Sequence, residues 1–375
     1  MKIRLLSRAG LKLAALLMIS GATVLVATSR ADPARKPAAR AIRLQIPKDR
    51  PLRLYYYVDD ARGFDSLQEH AREIDVLAPQ SFWIDAQGSV HGALPPRIKP
   101  MIRQAEMPAM PLVFNREFNR ATVHAVLRSA AARRRLLTAI ARIARLDSVV
   151  GIQIDFENID PADRKLYSSF VRQAAVVLHH EGRLLSVALV PRLSIPPSGA
   201  HGPAHPGKST QAAWAAAFDY RALGRVADFV TVMAYDHSGR DDPPGPIAGL
   251  SWVDRALAYA IARIPSRKIL LGIPLYGREW IYAAGKYNTQ SVTFLDVDQI
   301  LARYHIEPLW DAQWQEPWFR YHAGGALRTV YYEDQRSLRG ELDLISRYHL
   351  RGYAAWRIGD EDPAFWTVSK RTASR

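Results

Sequence analysis

Hydrophobic residues gather along this chain in short runs separated by longer amphipathic stretches. The runs fall at 52–58, 74–82, 109–115, 149–157, 184–191, 227–235, 269–275 and 352–358. Their length and their content of Ile, Leu, Val and Tyr predict strands. Between them, 133–145, 162–180, 252–264 and 336–348 repeat apolar residues at three- and four-residue spacing, the pattern of a helix with one buried face. Strands alternating with helices in this way predict an α/β protein, a (β/α)8 TIM barrel. The alternative is a doubly wound open sheet. That fold would carry a glycine-rich phosphate loop after its first strand; Tyr55-Tyr56-Tyr57-Val58-Asp59-Asp60 stands there instead.

The interval before the last strand is much longer than the rest. A small α+β insertion is expected there, at about 281–333, with a helix at 295–304 and short strands around Leu309-Trp310 and 329–332. It carries Tyr282, Tyr287, Trp310, Trp314, Trp318, Phe319 and Tyr321. Aromatic faces suit sugar rings, and they also suit a small core of their own; both uses are expected. The loops 194–208 and 238–249 read as surface excursions. His201 and His205 are four apart, but among Gly and Pro, so they are not two ligands on one helix. Asp59, Asp60, Asp241 and Asp242 are expected to be solvated loop acids, with no metal site.

The fourth run departs from an ordinary buried strand. In 149–157 the alternation of strand side chains puts Ile152, Ile154 and Phe156 on one face. Gly151, Gln153, Asp155 and Glu157 take the other. In a parallel sheet both faces are covered, and carboxylates there are costly unless paired or used. Two of them at the C-terminal end of such a strand point to chemistry.

Composition changes the picture at the N-terminus. Lys2, Arg4, Arg8 and Lys12 precede an uncharged run, 13–28, followed by Ser29-Arg30-Ala31. Residues 1–31 are therefore expected to be a cleaved secretory signal or an uncleaved membrane anchor, and 32–50, rich in Ala, Pro and Arg, a linker. The 375 residues include no cysteine, which excludes disulfides and thiolate chemistry. Of the formal charge of +15, residues 1–40 carry +7 and the remainder +8. A basic excess on an exported chain suits anionic envelope polymers. Nothing resembles a nucleic-acid module.

The segment from Gly151 to Glu157 resembles the fourth-strand signature of glycoside hydrolase family 18, the chitinase-like family. Asp155-Phe156-Glu157-Asn158 is similar to the branch of spore-cortex peptidoglycan hydrolases and to hydrolase modules fused to bacterial polysaccharide synthases. Met233-Ala234-Tyr235-Asp236, the stretch Leu271 to Arg278, and Gly352 to Asp362 resemble the family's sixth-, seventh- and eighth-strand motifs, in order. The resemblance covers roughly 50–366 and implies a catalytic barrel over 51–370.

By position, the resemblance implies Glu157 as general acid/base, Asp155 as the residue orienting the substrate's acetamido group, and Tyr235 as donor to that group's carbonyl. It implies substrate contacts for Gln153, Met233, Asp236, Trp356, Tyr276, Arg278 and Tyr56, with Trp356 flooring the central subsite. The signature's first two acids are Val150 and Gln153 here. Val150 is expected to face away from the mouth, and Gln153 to hydrogen-bond Asp155. The activity implied is retaining, substrate-assisted hydrolysis of β-linked N-acetylglucosamine glycans, with no cofactor and no metal, by a monomer whose only membrane contact would be an uncleaved N-terminal segment. A catalytically silent glycan-binding barrel is the alternative; an envelope scaffold is a third reading.

Overall fold

The computed structural model describes residue 44, residues 50–193 and residues 214–372, the side chains of 371 and 372 excepted. Residues 1–31, nearly all of the linker and the whole loop 194–208 with both of its histidines lie outside them. The chain divides into two units, 1–40 and 41–375, and only the second falls within the described residues.

That unit is a (β/α)8 barrel. Its strands are β1 (Leu52–Tyr57), β2 (Val76–Pro79), β3 (Leu112–Phe114), β4 (Gly151–Asp155), β5 (Leu184–Leu189), β6 (Phe229–Met233), β7 (Ile269–Pro274) and β8 (Gly352–Trp356). Each coincides with one of the hydrophobic runs. Neighbours pair in parallel from β3 through β8 to β1 and β2. The ring closes through Ala109, just before β3, which bridges Leu77 of β2 and Val149. Met110 N donates to Leu77 O at 2.8 Å, and Leu77 N donates to Pro108 O at 2.9 Å.

Burial on both faces explains why the strands read as near-continuous apolar runs. Leu54, Tyr56, Ala78, Leu112, Phe229, Leu270 and Ala354 fill the interior. Tyr55, Leu77, Ile152, Ile154, Val187, Val232 and Ile273 face outward to a ring of helices that includes Ala130–Ala144, Arg164–His180, Leu250–Ile261 and Gln335–Arg347. Val150 breaks the expected parity. It packs inside with Met110, Leu112, Phe229 and Leu270, because regular alternation begins only at Gly151. At Gly151 the neighbouring strand approaches closely: a Cβ there would meet Leu184 O at 2.4 Å and Met110 Cε at 2.7 Å.

The insertion begins earlier than expected, at Gly277, which pairs with both Val292 and Tyr332. Five antiparallel strands lie in the order Lys286–Val292, Gly277–Ala283, Ala326–Tyr332, Glu316–Ala323 and Leu309–Asp311. The helix Phe294–Tyr304 covers a core of Val292, Val297, Phe319, Tyr321, Val330 and Tyr332. Trp310 lies under the Arg336 guanidinium, and Trp314 packs on Gly249 and His237. Tyr282 and Tyr287 are exposed and face each other across two strands, and Trp318 stacks on Tyr331.

Asp59 and Asp60 are not free loop acids. Asp59 accepts from Tyr57 and Arg97, and Asp60 caps the helix Ala61–His70 and pairs with Arg357. Asp242 accepts from Gly239 N. No group of three or more metal-ligating side chains is placed to hold a metal ion among the described residues.

Candidate active site

With eight parallel strands, all C-terminal ends share one rim, where a barrel presents its loops. Asp155 closes β4, Met233 closes β6 and Trp356 closes β8; Glu157, Tyr235, Asp236, Tyr276 and Arg278 lie just beyond strand ends.

The polar face of β4 descends from this rim into the interior. Glu157 is half-buried, Asp155 is 7% exposed and Gln153 is 0% exposed. Asp155 Oδ1 meets no hydrogen-bond partner. Burial pushes the Asp155 carboxyl up to about 7. Glu157 is raised well above the ordinary carboxylate range, by burial first and then by the charges of Asp155 and Asp236. Two neighbouring acids that cannot both ionise cheaply hold a proton between them near neutral pH.

Gln153 does not bond Asp155. Its Nε2 donates sideways to Ser186 Oγ at 2.9 Å and Thr231 Oγ1 at 3.1 Å, on β5 and β6. Same-face neighbours on a strand stand about 7 Å apart, while the adjacent strand is closer. Tyr56 is 2% exposed; its hydroxyl lies beside Thr231 and Gln153 but meets neither in hydrogen-bond geometry. Both residues were expected to touch substrate. Both instead line the barrel beneath the carboxylates, with no surface to offer a ligand.

Tyr235 reaches the carboxylates over Gly272, where a Cβ would stand 3.1 Å from its ring and 2.6 Å from Val232 O. Burial, then the nearby Tyr56 and Asp155, keep its phenol raised well above its usual range, so it remains an O–H donor. The half-buried Trp356 ring lies 5.3 Å from Tyr56, and its indole packs among Tyr276, Trp280 and Ile247. Trp356–Arg357 is a cis peptide. Tyr276 meets the Tyr235 ring edge-on at 6.5 Å and donates its hydroxyl to Asp236 Oδ1 at 2.5 Å. Arg278 donates to the same oxygen at 2.6 Å and to Ser238 O. Met233, Tyr276 and Arg278 are all buried. Arg278, 4% exposed, spends its guanidinium on Asp236 and Ser238, so that it holds Asp236 in place at the rim.

One residue at the site escaped the sequence reading. Asn115, at the end of the third hydrophobic run, is 3% exposed and hydrogen-bonds the backbone of Glu157. A lone amide closing an apolar strand was the available signal.

Chemically, the rim offers an acid whose hold on its proton is strengthened by burial and like charge, a second carboxyl beside it, a phenol donor and an indole. That set can protonate a leaving oxygen and stabilise developing positive charge.

Residues 119–362 match the sequence profile described as Glycosyl hydrolases family 18. The chain is 30% identical over 314 residues to the cortical fragment-lytic enzyme of Bacillus subtilis, covering 81% of this chain and 70% of that protein. Among solved structures, a chitinase from Chromobacterium violaceum superposes with a TM-score of 0.77 at 28% identity, covering 87% of this chain and 99% of that one. The spore cortex-lytic enzyme SleL of Bacillus megaterium gives a TM-score of 0.76 at 27% identity, over 88% and 75% of the two chains.

Proposed function

This chain belongs to the glycosyl hydrolases of family 18, and from that premise we propose that it cleaves β-linked N-acetylglucosamine glycans of the bacterial envelope by substrate-assisted, retaining hydrolysis. The observation that carries the proposal is the placement of a proton-retaining Glu157 beside Asp155 and Tyr235 at the barrel rim. The family is among those in which the substrate supplies the nucleophile. Glu157 donates its proton to the leaving glycosidic oxygen as the substrate's acetamido oxygen closes on the anomeric carbon. Asp155 takes the acetamido N–H and balances the charge of the cyclic intermediate, while Tyr235 donates to the acetamido oxygen and holds it in line. Trp356 forms an apolar floor for the sugar ring. Glu157, now a carboxylate, then takes a proton from water as it opens the intermediate from the face the leaving group vacated. The product keeps the β configuration.

Peptidoglycan is the preferred substrate. One relative is named a cortical fragment-lytic enzyme and another a spore cortex-lytic enzyme, and a basic chain suits an anionic wall. The basic and uncharged runs at the N-terminus support the same setting, and the proposed enzyme is a monomer acting outside the cytoplasm. Purified sacculi, chitin oligomers and poly-N-acetylglucosamine are each incubated with the protein and the products identified by mass spectrometry. Release of N-acetylglucosamine-terminated fragments from sacculi is expected; release from chitin alone overturns the preference.

A further inference from the structure

We propose that Asn115 is a positioning residue for Glu157, its side-chain amide carrying the pairing of β3 and β4 one step past the ends of both strands. The proposal rests on reading Glu157 as the acid. The last register pair between these strands is Phe114 with Asp155, so Glu157 lies beyond the ladder. The residue that follows it, Asn158, has φ 52°, a left-handed conformation that a side chain rarely adopts. Left to its own strand, Glu157 would therefore sit between a frayed end and a sharp turn.

Asn115 supplies the missing partner. Glu157 N donates to Asn115 Oδ1 at 2.9 Å, and Asn115 Nδ2 donates to Glu157 O at 3.0 Å. One side chain thus satisfies both the donor and the acceptor of a single peptide residue, as a neighbouring strand does with two peptide groups. The amide's second proton goes to Asn119 O at 3.3 Å, which fixes its orientation. The segment after Glu157 is tied to the same loop. Arg120 Nη2 donates to Asn158 Oδ1 at 2.7 Å, and Asn158 Nδ2 donates to Phe118 O at 3.1 Å.

The residue type follows from the geometry. Aspartate matches the shape but lacks the N–H and adds charge; glutamine is one methylene too long; serine cannot span both groups. Because the clamp grips the backbone of Glu157, it leaves the carboxyl free for the substrate. Misplacing a reacting group by about 1 Å costs about 10²-fold in rate.

The test compares Asn115→Ala, Asn115→Asp and Asn119→Ala for kcat, KM, pH profile and melting temperature on N-acetylglucosamine oligomers. Asn119 lies in the same loop, but its side chain caps the helix Arg120–Arg128 through Thr122 N. Asn119→Ala thus reports what loop damage alone does. Asn115→Ala is expected to lower kcat about 10–100-fold, with KM little changed and the alkaline limb of the profile moved to lower pH, as a loosened carboxyl gains water. Asn115→Asp keeps the fold and half the clamp; its kcat falls less, and its added charge moves the limb to higher pH. Asn119→Ala is expected to lower the melting temperature while kcat and the limb stay put. Full kcat in Asn115→Ala, an equal loss in Asn119→Ala, or an unmoved limb in Asn115→Asp overturns the proposal. Activity surviving in Glu157→Gln overturns the reading of the acid itself. An inactive Glu157→Gln beside a fully active Asn115→Ala overturns only this inference.

Discussion

Two carboxyls two residues apart on one strand face set the working pH of this site. With Asp155 pushed up to about 7 and Glu157 also raised well above the ordinary carboxylate range, the pair holds a proton up to about neutral pH, and activity falls as the medium turns alkaline. Glu157→Gln keeps the shape and loses the transferable proton; it is expected to cut hydrolysis by about 10²–10⁴-fold while glycan binding, followed by calorimetry, persists. Asp155→Asn removes the like charge that raises Glu157. Its residual activity is expected to fade at lower pH than that of the unsubstituted enzyme, and an alkaline limb moved upward contradicts the coupling. Both acids were legible because carboxylates closing an apolar strand need a reason to be there. The partners of Gln153 were not. Hydrogen bonding across strands depends on register, and register is not written in one strand's own sequence. Asn115 escaped for the same reason: its partner lies 42 residues away.

The eight strands and the flanking helices were legible as elements, because burial on two faces or on one stripe imposes a period on the sequence. The insertion was only half legible. Gly277 and Arg278 belong to its sheet although they continue the β7 motif, and Glu316, Glu333 and Glu341 gave no sign of being buried together. Glu316 accepts from Ile247 N at 2.8 Å and Ala248 N at 2.6 Å, tying the insertion to a barrel loop. Glu341, on the helix Gln335–Arg347, is raised well above its ordinary range by burial and then by Glu316, and Glu316 itself is pushed up to about 8. Acids raised in the folded state bind protons that the unfolded chain has released. The contribution of Glu316 is therefore full below about pH 4.5, declines as pH rises, and is gone by about 8; that of Glu341 declines in the same direction. Each pH unit over which a proton must be held costs about 1.4 kcal/mol. Glu341→Gln keeps the shape and cannot ionise. Its melting temperature is expected to match the unsubstituted protein near pH 5 and to exceed it at pH 8; a lower value at pH 8 contradicts the buried-acid account.

The whole molecule combines a common scaffold with a site that only certain side chains turn into an enzyme. Barrel architecture follows from alternation and burial, and it hosts many chemistries. What distinguishes this one is the rim, where Asp155, Glu157, Tyr235 and Trp356 arrive from three different strands. No single stretch of sequence contains that constellation; it became readable because four motifs occur in the order that a closed parallel barrel brings to one mouth. The central claim is that the substrate's own acetamido oxygen is the nucleophile, with Glu157 giving its proton to the leaving oxygen and regaining one from water. Two displacements at the anomeric carbon then restore the starting configuration. Proton NMR of an N-acetylglucosamine oligomer during the first minutes of turnover, before mutarotation, reads the anomer formed. The account predicts that the β-anomer of the new reducing end appears first; the α-anomer appearing first contradicts it.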